Sequence, residues 1–190
     1  MQQEVIIVGG GMVGLSLALM LAKQNIAVKL LEAIKYPNYD DENLAPYHSS
    51  FDARNSALSR RTVQIYQELG LWNALQEHAT PILEVNITEQ GSFGKARLKA
   101  EQEKVESFGQ VIENAWLGRV LLTEVQKQPF IELIDGVQVT QLTQDADMAY
   151  IDASRGEEQL TLQAKIVIAA DGRDSFCRKA LGIGASEHDY

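Results

Sequence analysis

The chain has 190 residues, of which 45% are hydrophobic and 23% charged, a composition that excludes disordered, collagen-like and coiled-coil proteins. Lys and Arg number 17 against 26 Asp and Glu, and the formal net charge of -9 argues against a general nucleic-acid binder, which neutralises phosphates with surplus cations. With Cys177 as its single cysteine, the sequence has neither a disulfide pair nor Cys/His metal spacing. We therefore expect a reducing, cytoplasmic setting and no metal site.

The apolar stretch near the N-terminus does not have the pattern of a targeting segment. A secretory signal has a basic start and a small-residue cleavage site, whereas here Glu4 leads and three glycines interrupt the apolar run. No uninterrupted run of about 18 apolar residues occurs in the sequence. We therefore expect no transmembrane helix, and we expect any contact with a membrane to be peripheral.

The first 32 residues predict a βαβ unit. A strand, a glycine turn, a helix and a second strand follow one another, and this order is typical of a parallel pair with a right-handed crossover. The predicted elements are a strand at 4–8, a glycine turn at 9–14, a helix at 15–24 and a strand at 28–31. Asn25 closes the helix, and a long polar loop is predicted at 33–52.

The middle of the chain predicts a helix followed by β-rich segments. Apolar positions at helical spacing indicate a helix over 56–69, capped by Ser59 or Asn55 and stopped by Gly70. Short strands are predicted at 81–88, 96–99 and 110–113, with a turn at 91–94 and a further helix at 117–127. The β-rich middle therefore interrupts the α/β pattern as an insertion.

The last third of the chain predicts an antiparallel ribbon and one more strand. Four runs alternate between apolar and polar residues, which suggests a ribbon packed on the main sheet. These runs lie at 131–133, 136–142, 148–153 and 160–162, with a turn at 155–156. The continuous apolar run at 165–170 indicates a buried strand that ends in Asp171-Gly172.

The glycine turn has the spacing of a dinucleotide-binding site. In Gly9-x-Gly11-x-x-Gly14 the first glycine permits the tight turn, the second lets the backbone approach a pyrophosphate, and the third lets helix and strand pack closely. The helix N-terminus supplies N–H groups for phosphates, and Glu32 at the end of the next strand can accept hydrogen bonds from a ribose diol. A purely structural glycine turn is the plain alternative. The motif alone does not separate FAD from NAD.

A second motif follows the last predicted strand. Residues 169–175 read AADGRDS, and together with Arg178 they put another glycine-containing turn at the C-terminal edge of the sheet. The plain interpretation is a strand-to-helix turn in which Asp171 or Ser175 is the N-cap.

Three motifs together resemble the FAD-dependent aromatic hydroxylases of ubiquinone biosynthesis, which are single-component flavoprotein monooxygenases with a para-hydroxybenzoate hydroxylase-like fold. The motifs are GxGxxG at 9–14, FDARNSALS at 51–59 with LGLW at 69–72, and ADGxxSxxR at 170–178. The stretch GQVIE at 109–113 is most similar to the 2-polyprenyl-6-methoxyphenol hydroxylase branch. The resemblance covers essentially the whole chain.

The resemblance implies an α/β fold: a Rossmann-like FAD-binding domain with an antiparallel β-ribbon and a partial β-rich substrate-domain insertion. Residues 1–78 and 114–190 would form the discontinuous FAD-binding domain, and 79–113 the partial insertion. The family's third flavin-contacting motif, a Gly-Asp pair before a His-Pro and glycine-rich helix start, does not occur here. We therefore expect the chain to correspond to an N-terminal half that is inactive alone.

The resemblance also implies the residues that bind FAD. Arg54 is similar to an arginine that reaches the flavin side of the cofactor, and Arg119 to one beside the pyrophosphate or ribityl chain. Asp171 and Gly172 match a motif that serves both FAD and the transient nicotinamide cofactor. The expected cofactor-binding residues are Gly9, Gly11, Met12, Val13, Gly14, Glu32, Arg54, Arg119, Asp171 and Gly172. Surface ion pairs are the alternative for both arginines, and no catalytic residue can be named.

The function implied is that of an aromatic monooxygenase that uses FAD, NAD(P)H and O₂ to hydroxylate a polyprenyl methoxyphenol on the way to ubiquinone. Such a substrate implies association with the inner membrane face, through hydrophobic contact or through docking on other ubiquinone-biosynthesis proteins. Separately, we expect a truncated chain to expose apolar sheet surface, which favours self-association into a homo-oligomer. The net charge of -9 argues against electrostatic attachment to anionic lipid. Two alternatives stay open: an NAD(P)-dependent reductase or dehydrogenase, and a non-catalytic nucleotide-binding assembly subunit.

Overall fold

The computed structural model describes residues 5–36, 51–89, 91 and 93–186. The loop expected at 33–52 lies largely outside the described residues, since 37–50 are not among them. The chain divides into two compact units, one formed by Met1–Ser50 with Leu121–Tyr190 and the other by Phe51–Val120. The assignment of 79–113 to a substrate domain stays a prediction, because compactness alone does not tell which segment binds a substrate.

Strands and helices alternate at the start of the chain, and strands dominate after it. The strands are β1 (Val5–Val8), β2 (Val28–Leu31), β3 (Asn55–Ser59), β4 (Ala79–Pro81), β5 (Glu84–Ile87), β6 (Ala96–Lys99), β7 (Gly109–Glu113), β8 (Ile131–Ile134), β9 (Gln138–Gln144), β10 (Ala149–Arg155), β11 (Glu158–Ala164) and β12 (Ile166–Ala169). The helices are α1 (Met12–Lys23), α2 (Arg60–Glu68), α3 (Trp72–Leu75), α4 (Asn114–Val125) and α5 (Phe176–Ala180), and a 3₁₀ turn covers Gln76–His78. None of the helices in the described part of the chain is long and apolar enough to cross a membrane.

A parallel sheet with the order β12-β1-β2-β8 forms the centre of the first unit. The four residues of β1 are all buried, as expected of a β-branched run in a parallel sheet. α1 connects β1 to β2. Asn25 follows the C-terminal end of α1 and has a left-handed conformation with φ +61°. The predicted βαβ unit and the α/β fold class are therefore confirmed.

The position of β8 corrects one prediction. The run at 131–133 was expected in the antiparallel ribbon, but β8 pairs in parallel with β2, with Val28 opposite Ile131. A parallel neighbour needs a crossover connection, and α4 lies directly before β8 in the chain. A short alternating run does not show whether its partner strand is parallel or antiparallel. The alternation alone therefore led to the wrong assignment of β8.

The strand before the second motif is an edge strand rather than a buried one. Of the strands that the structure describes, β12 is bonded only to β1, and Ile166 at its start is 54% exposed. A continuous apolar run reads as buried on both faces, but an edge strand of the same sequence leaves part of its apolar surface open. The predicted burial of this strand was therefore wrong.

The predicted ribbon is formed by three strands, in the order β11-β10-β9, and they are antiparallel throughout. The β10–β11 turn falls at the predicted position, where Gly156 has φ +60° and Arg155 lies opposite Glu158. Ile151 and Ala153 of β10 are fully buried in one cluster with Ile6 of β1. The ribbon packs on the parallel sheet, as expected.

The second unit contains an antiparallel sheet with the order β3-β7-β4 and a separate β5–β6 hairpin. The helix predicted over 56–69 is shorter, because residues 55–59 form β3 and pair with β7. Ser59 is the N-cap of α2 and accepts a hydrogen bond of 3.1 Å from the Thr62 N–H. Gly70 ends this helical segment with φ +79°. A capping serine thus marked the helix start better than apolar spacing did.

Candidate functional site

The glycine turn between β1 and α1 is closed to side chains at two positions. Gly9 has φ +107°, and a Cβ placed there would overlap the carbonyl of Ala170 after β12. A Cβ on Gly14, in the first turn of α1, would overlap the Gly9 carbonyl. These contacts let the turn lie directly against the sheet and the helix against the turn, as the spacing predicted.

The N-terminus of α1 is not capped by a side chain. Gly11 is its N-cap, and among the described residues no side chain accepts a hydrogen bond from the first helical N–H groups at this end. No acidic residue occurs in the first turn, and Val13 there is 72% exposed. A helix of twelve residues with such an end attracts an anion, because its first N–H groups and its dipole both favour negative charge.

Glu32 lies directly beside this turn. Its Oε2 accepts a hydrogen bond from the Gly10 N–H, and its Oε1 accepts one of 2.8 Å from the Ile34 N–H. The residue is only 7% exposed, and its own backbone N–H donates to the Ile134 carbonyl at the end of β8. The carboxylate is therefore fixed at the end of β2 by backbone groups, as a residue that orients a ligand must be.

Tyr36 and Gly10 belong to the same arrangement, and the sequence reasoning missed both. The Tyr36 hydroxyl donates to the Gly10 carbonyl, and the Tyr36 N–H donates to Asp135 Oδ2 at 2.8 Å. A Cβ on Gly10 would overlap this hydroxyl. A third consecutive glycine, at a position where the GxGxxG spacing requires none, is the signal that could have found Gly10.

One cleft of about 360 Å³ collects half of the predicted residues. Gly9, Gly11, Glu32, Asp171 and Gly172 line it. The remaining lining residues are Val8, Leu31, Ala33, Ile34, Val137, Gln138, Val139, Ala170, Asp174 and Phe176. No Lys or Arg is among them, so an anionic group in this cleft would depend on backbone N–H donors rather than on cationic side chains.

Asp171 is held by the helix that follows it. Its carboxylate accepts hydrogen bonds from the Ser175 hydroxyl and from the Cys177 N–H, the latter at 3.0 Å. Partial burial raises the pKa of the Asp171 carboxyl, but these hydrogen bonds outweigh it and the pKa lies below its ordinary value. Ser175 accepts from the Arg178 N–H and is the N-cap of α5. The strand-to-helix turn is therefore capped by Ser175, one of the two predicted N-cap residues, and it contains the ionised Asp171.

Cys177 does not have the properties of a nucleophile. It is fully buried, and burial together with the negative charge of Asp171 raises the pKa of its thiol to about 12.

Arg54 lies in the second unit and forms an ion pair. Its Nε lies 2.6 Å from Asp52 Oδ2, and its side chain is 75% exposed. The Arg54 N–H holds the pKa of the Asp52 carboxyl below its ordinary value, and the guanidinium adds to this effect. The alternative of a surface ion pair is therefore present, and the role of Arg54 in cofactor binding stays a prediction.

Arg119 lies against an aromatic stack in the second unit. Its guanidinium carbon is 5.9 Å from the centre of the Trp116 ring, and Trp116 stacks on His78 with 4.0 Å between ring centres. The Trp116 Nε1–H donates to the Ala74 carbonyl at 3.0 Å. The structure thus does not place Arg54 or Arg119 among the lining residues of the cleft, which belongs to the first unit.

The cleft fits the adenosine diphosphate part of a dinucleotide. The turn has no room for side chains, the N-terminus of α1 offers N–H groups without a side-chain cap, and a fixed carboxylate lies at the end of β2. These three features are the ones that bind a pyrophosphate and a ribose diol in dinucleotide-binding folds.

Comparisons with known proteins agree with this fit. A sequence profile of the FAD binding domain family matches residues 2–190. The chain is 32% identical over 187 residues to the ubiquinone hydroxylase UbiL of Rhodospirillum rubrum, a match that covers 98% of this chain and 41% of that protein. It is 32% identical over 189 residues to the 3-demethoxyubiquinol 3-hydroxylase of Escherichia coli, with 98% and 46% covered.

A solved structure has the same fold. The OxyS anhydrotetracycline hydroxylase from Streptomyces rimosus matches with a TM-score of 0.79 and 23% identity, covering 100% of this chain and 36% of that chain. The chain spans less than half the length of the two ubiquinone hydroxylases that it matches. The resemblance stated from the motifs and the FAD cofactor are confirmed at the level of the family. With its profile matched over nearly every residue, the chain belongs to the FAD binding domain family.

Proposed function

We propose that the chain binds the adenosine diphosphate part of FAD in the glycine-turn cleft and is part of a flavin-dependent aromatic monooxygenase. The observation that carries the proposal is the uncapped N-terminus of α1 beside the fixed carboxylate of Glu32. Family membership and relatives named as ubiquinone hydroxylases support it.

Different residues of the cleft are proposed to bind the pyrophosphate and the ribose. Glu32 already holds the Gly10 N–H, so the donors for the pyrophosphate are the N–H groups at the start of α1, at Gly11, Met12 and Val13. Glu32, at the end of β2, is the acceptor that we propose for the ribose diol. Gly9 and Gly14 keep the turn close to the sheet and free of side chains.

Asp171 and Gly172 form the second wall of the cleft. Asp171 is kept ionised and oriented by Ser175, and Gly172 has φ +82°, which exposes its backbone without a side chain. Arg54 and Arg119 are the cationic groups that we propose for the flavin side and the phosphate or ribityl part of the cofactor.

FAD, when bound, supplies the redox chemistry by accepting a hydride from NAD(P)H and activating O₂. The protein's contribution is to bind the cofactor, orient it and exclude water. No side chain of the described residues is assigned to proton transfer.

The substrate class that we propose is a polyprenyl methoxyphenol of ubiquinone biosynthesis. The two relatives reported above are named as a ubiquinone hydroxylase and as a 3-demethoxyubiquinol 3-hydroxylase. A polyprenyl tail implies work at the inner membrane face, reached from the cytoplasm through apolar contact or through other proteins of the pathway. The net charge of -9 disfavours a purely electrostatic attachment.

The test is a flavin assay on the intact protein in which this chain occurs. We expect a purified protein with flavin absorbance and NAD(P)H oxidation that a substrate phenol stimulates. A colourless protein that oxidises NAD(P)H would indicate the alternative of a nicotinamide-dependent reductase. Binding without any turnover would indicate a nucleotide-binding assembly subunit. Mass spectrometry of the quinone precursor that accumulates in a strain lacking the gene identifies the hydroxylation step.

A further inference from the structure

The segment before β3 is joined to the N-terminus of α4 by backbone hydrogen bonds. The Asn114 N–H donates to the Arg54 carbonyl at 2.9 Å, and the Ala115 N–H donates to the Asp52 carbonyl at 3.0 Å. Two of the N–H groups that a helix leaves without an intrahelical partner are thereby satisfied. The backbone on both sides of Ala53 is therefore fixed to α4 within the second unit.

Packing reinforces this attachment. The Phe51 ring lies on α4 at Gly118, where a Cβ would overlap the ring atoms, and Phe51 is buried. Asn114 is only 5% exposed, and its Oδ1 accepts a hydrogen bond of 2.6 Å from the Ser56 hydroxyl. The Arg54 N–H holds the pKa of the Asp52 carboxyl below its ordinary value, and Asn114 contributes the smallest of the lowering effects. Asp52 is thus held in place from α4.

Asp52 uses both of its oxygens on Arg54. Oδ1 accepts from the Arg54 N–H at 2.9 Å, and Oδ2 accepts from Nε at 2.6 Å. Among the described residues, the two Nη groups of Arg54 have no hydrogen-bond or ion-pair partner. The contact on Nε restricts the rotation of the guanidinium and leaves the part of the fork that binds an oxyanion open.

We propose that Asp52, whose backbone carbonyl is bonded to the Ala115 N–H of α4, is a positioning residue that orients the guanidinium of Arg54 toward an anionic oxygen of the bound cofactor. The inference rests on the proposed function, because it needs Arg54 to contact FAD. It adds a role for Asp52, which does not touch the cofactor itself.

A surface ion pair with no positioning role predicts the opposite effect on binding. Asp52 places a negative charge beside Arg54, and a mere neighbouring charge weakens the attraction of Arg54 for an anion. Removing that charge would then strengthen FAD binding. If Asp52 positions Arg54, removing its acceptor oxygen frees the guanidinium, and binding weakens although the site becomes more positive. The sign of the change therefore separates the two cases.

The experiment measures the dissociation constant for FAD, by titration of flavin fluorescence, in the intact protein and its Asp52→Asn variant. We expect about fivefold to tenfold weaker binding in the variant, the scale of one partly exposed charge-assisted hydrogen bond. Glu84→Gln is the matched control, since it removes one carboxylate of the same unit that pairs with Arg97 instead. The control is expected to bind FAD as the unchanged protein does.

A double-mutant cycle tests the route of the effect. In an Arg54→Ala background, Asp52→Asn should change the dissociation constant less than twofold, because Asp52 acts through Arg54. Unchanged or tighter binding in the single variant, or weakening that persists in the Arg54→Ala background, would overturn the inference. A lack of FAD binding in both the unchanged protein and Glu84→Gln would overturn the proposed function, and this inference with it.

A measurement without cofactor gives an independent readout. The Arg54 Nε–H, followed by NMR, should exchange with solvent at least several-fold faster in Asp52→Asn than in the unchanged protein, while the thermal midpoint of unfolding stays nearly the same. Equal exchange rates would contradict the proposed contact.

Discussion

Glu32 links the stability of the empty chain to the binding of a ligand. Its carboxylate satisfies the Gly10 and Ile34 N–H groups, and the same carboxylate is the one we propose for the ribose diol. Because the bond to the Gly10 N–H is buried, that N–H group is left without an acceptor if the carboxylate is removed. A single side chain therefore contributes to folding and to recognition, and variants must be assayed for both.

Replacement of Glu32 by Gln is expected to lower both properties. The Gln amide keeps one acceptor oxygen, but its NH₂ group then faces one of the two backbone N–H donors. Because that donor loses its acceptor, we expect the free energy of unfolding to fall by about 1–3 kcal/mol. FAD binding should weaken by about 1.5–3 kcal/mol as the charge-assisted bond to the ribose is lost. Urea unfolding and a FAD titration measure the two effects. The exposed Glu158→Gln serves as control, and a Glu32→Gln variant with unchanged FAD affinity would remove Glu32 from the site.

At the scale of elements, the sequence was informative where one local rule decides the structure. β2 has the predicted bounds, since a short apolar run that ends at an acidic residue had no competing assignment. β3 and β8 were misassigned because their partners lie far along the chain, at β7 and β2. Tyr36 could not be found for the same reason, since its contact with Gly10 is tertiary. Local spacing specified the glycine turn and its carboxylate, but not the residues that support them.

The β9–β10 turn provides a test of acid sensitivity. Asp145 accepts hydrogen bonds from the Asp147 and Met148 N–H groups and from the Tyr150 hydroxyl, and these bonds lower the pKa of its carboxyl below the ordinary value of 3.8. A lowered folded-state pKa stabilises the protein above the unfolded-state pKa, and this contribution is lost as the pH falls through the folded-state value.

We therefore expect Asp145→Asn to lose stability at neutral pH but to depend less on pH below about 4 than the unchanged chain. Urea unfolding measured between neutral and acidic pH checks this difference. Asp147→Asn is the control, since the Asp147 side chain accepts none of these bonds. Parallel pH profiles for the chain and Asp145→Asn would contradict the prediction.

At the scale of the whole molecule, the first unit has an exposed apolar edge. Of the described strands, β12 pairs only with β1, and Ile166 of β12 and the neighbouring Leu181 are both exposed. An unpaired strand edge with apolar side chains is prone to pair with a second chain. The homo-oligomer considered from the sequence thus has a candidate surface.

We expect the 190-residue chain to self-associate in a concentration-dependent way, and Ile166→Lys to reduce this association. A charge on the exposed edge opposes pairing with a second chain. Sedimentation velocity over a range of concentrations measures the effect. Ile87→Lys is the matched control, because Ile87 is 53% exposed but lies in the β5–β6 hairpin of the second unit. Equal loss of association in both variants would show that added charge, rather than the β12 edge, is responsible.

The last prediction concerns the 190-residue chain on its own. Relatives more than twice as long can place further groups on the cofactor, and the third motif of the resembling family is not among these residues. Each missing charge-assisted hydrogen bond costs about 1.5–3 kcal/mol, and every 1.4 kcal/mol raises the dissociation constant about tenfold. We therefore expect these 190 residues alone to be purified without FAD and to be catalytically inactive, while the intact protein, purified in parallel, is yellow. Flavin released on denaturation quantifies the cofactor, and a stoichiometric amount bound to the 190-residue chain would show that the residues of this chain suffice to retain FAD.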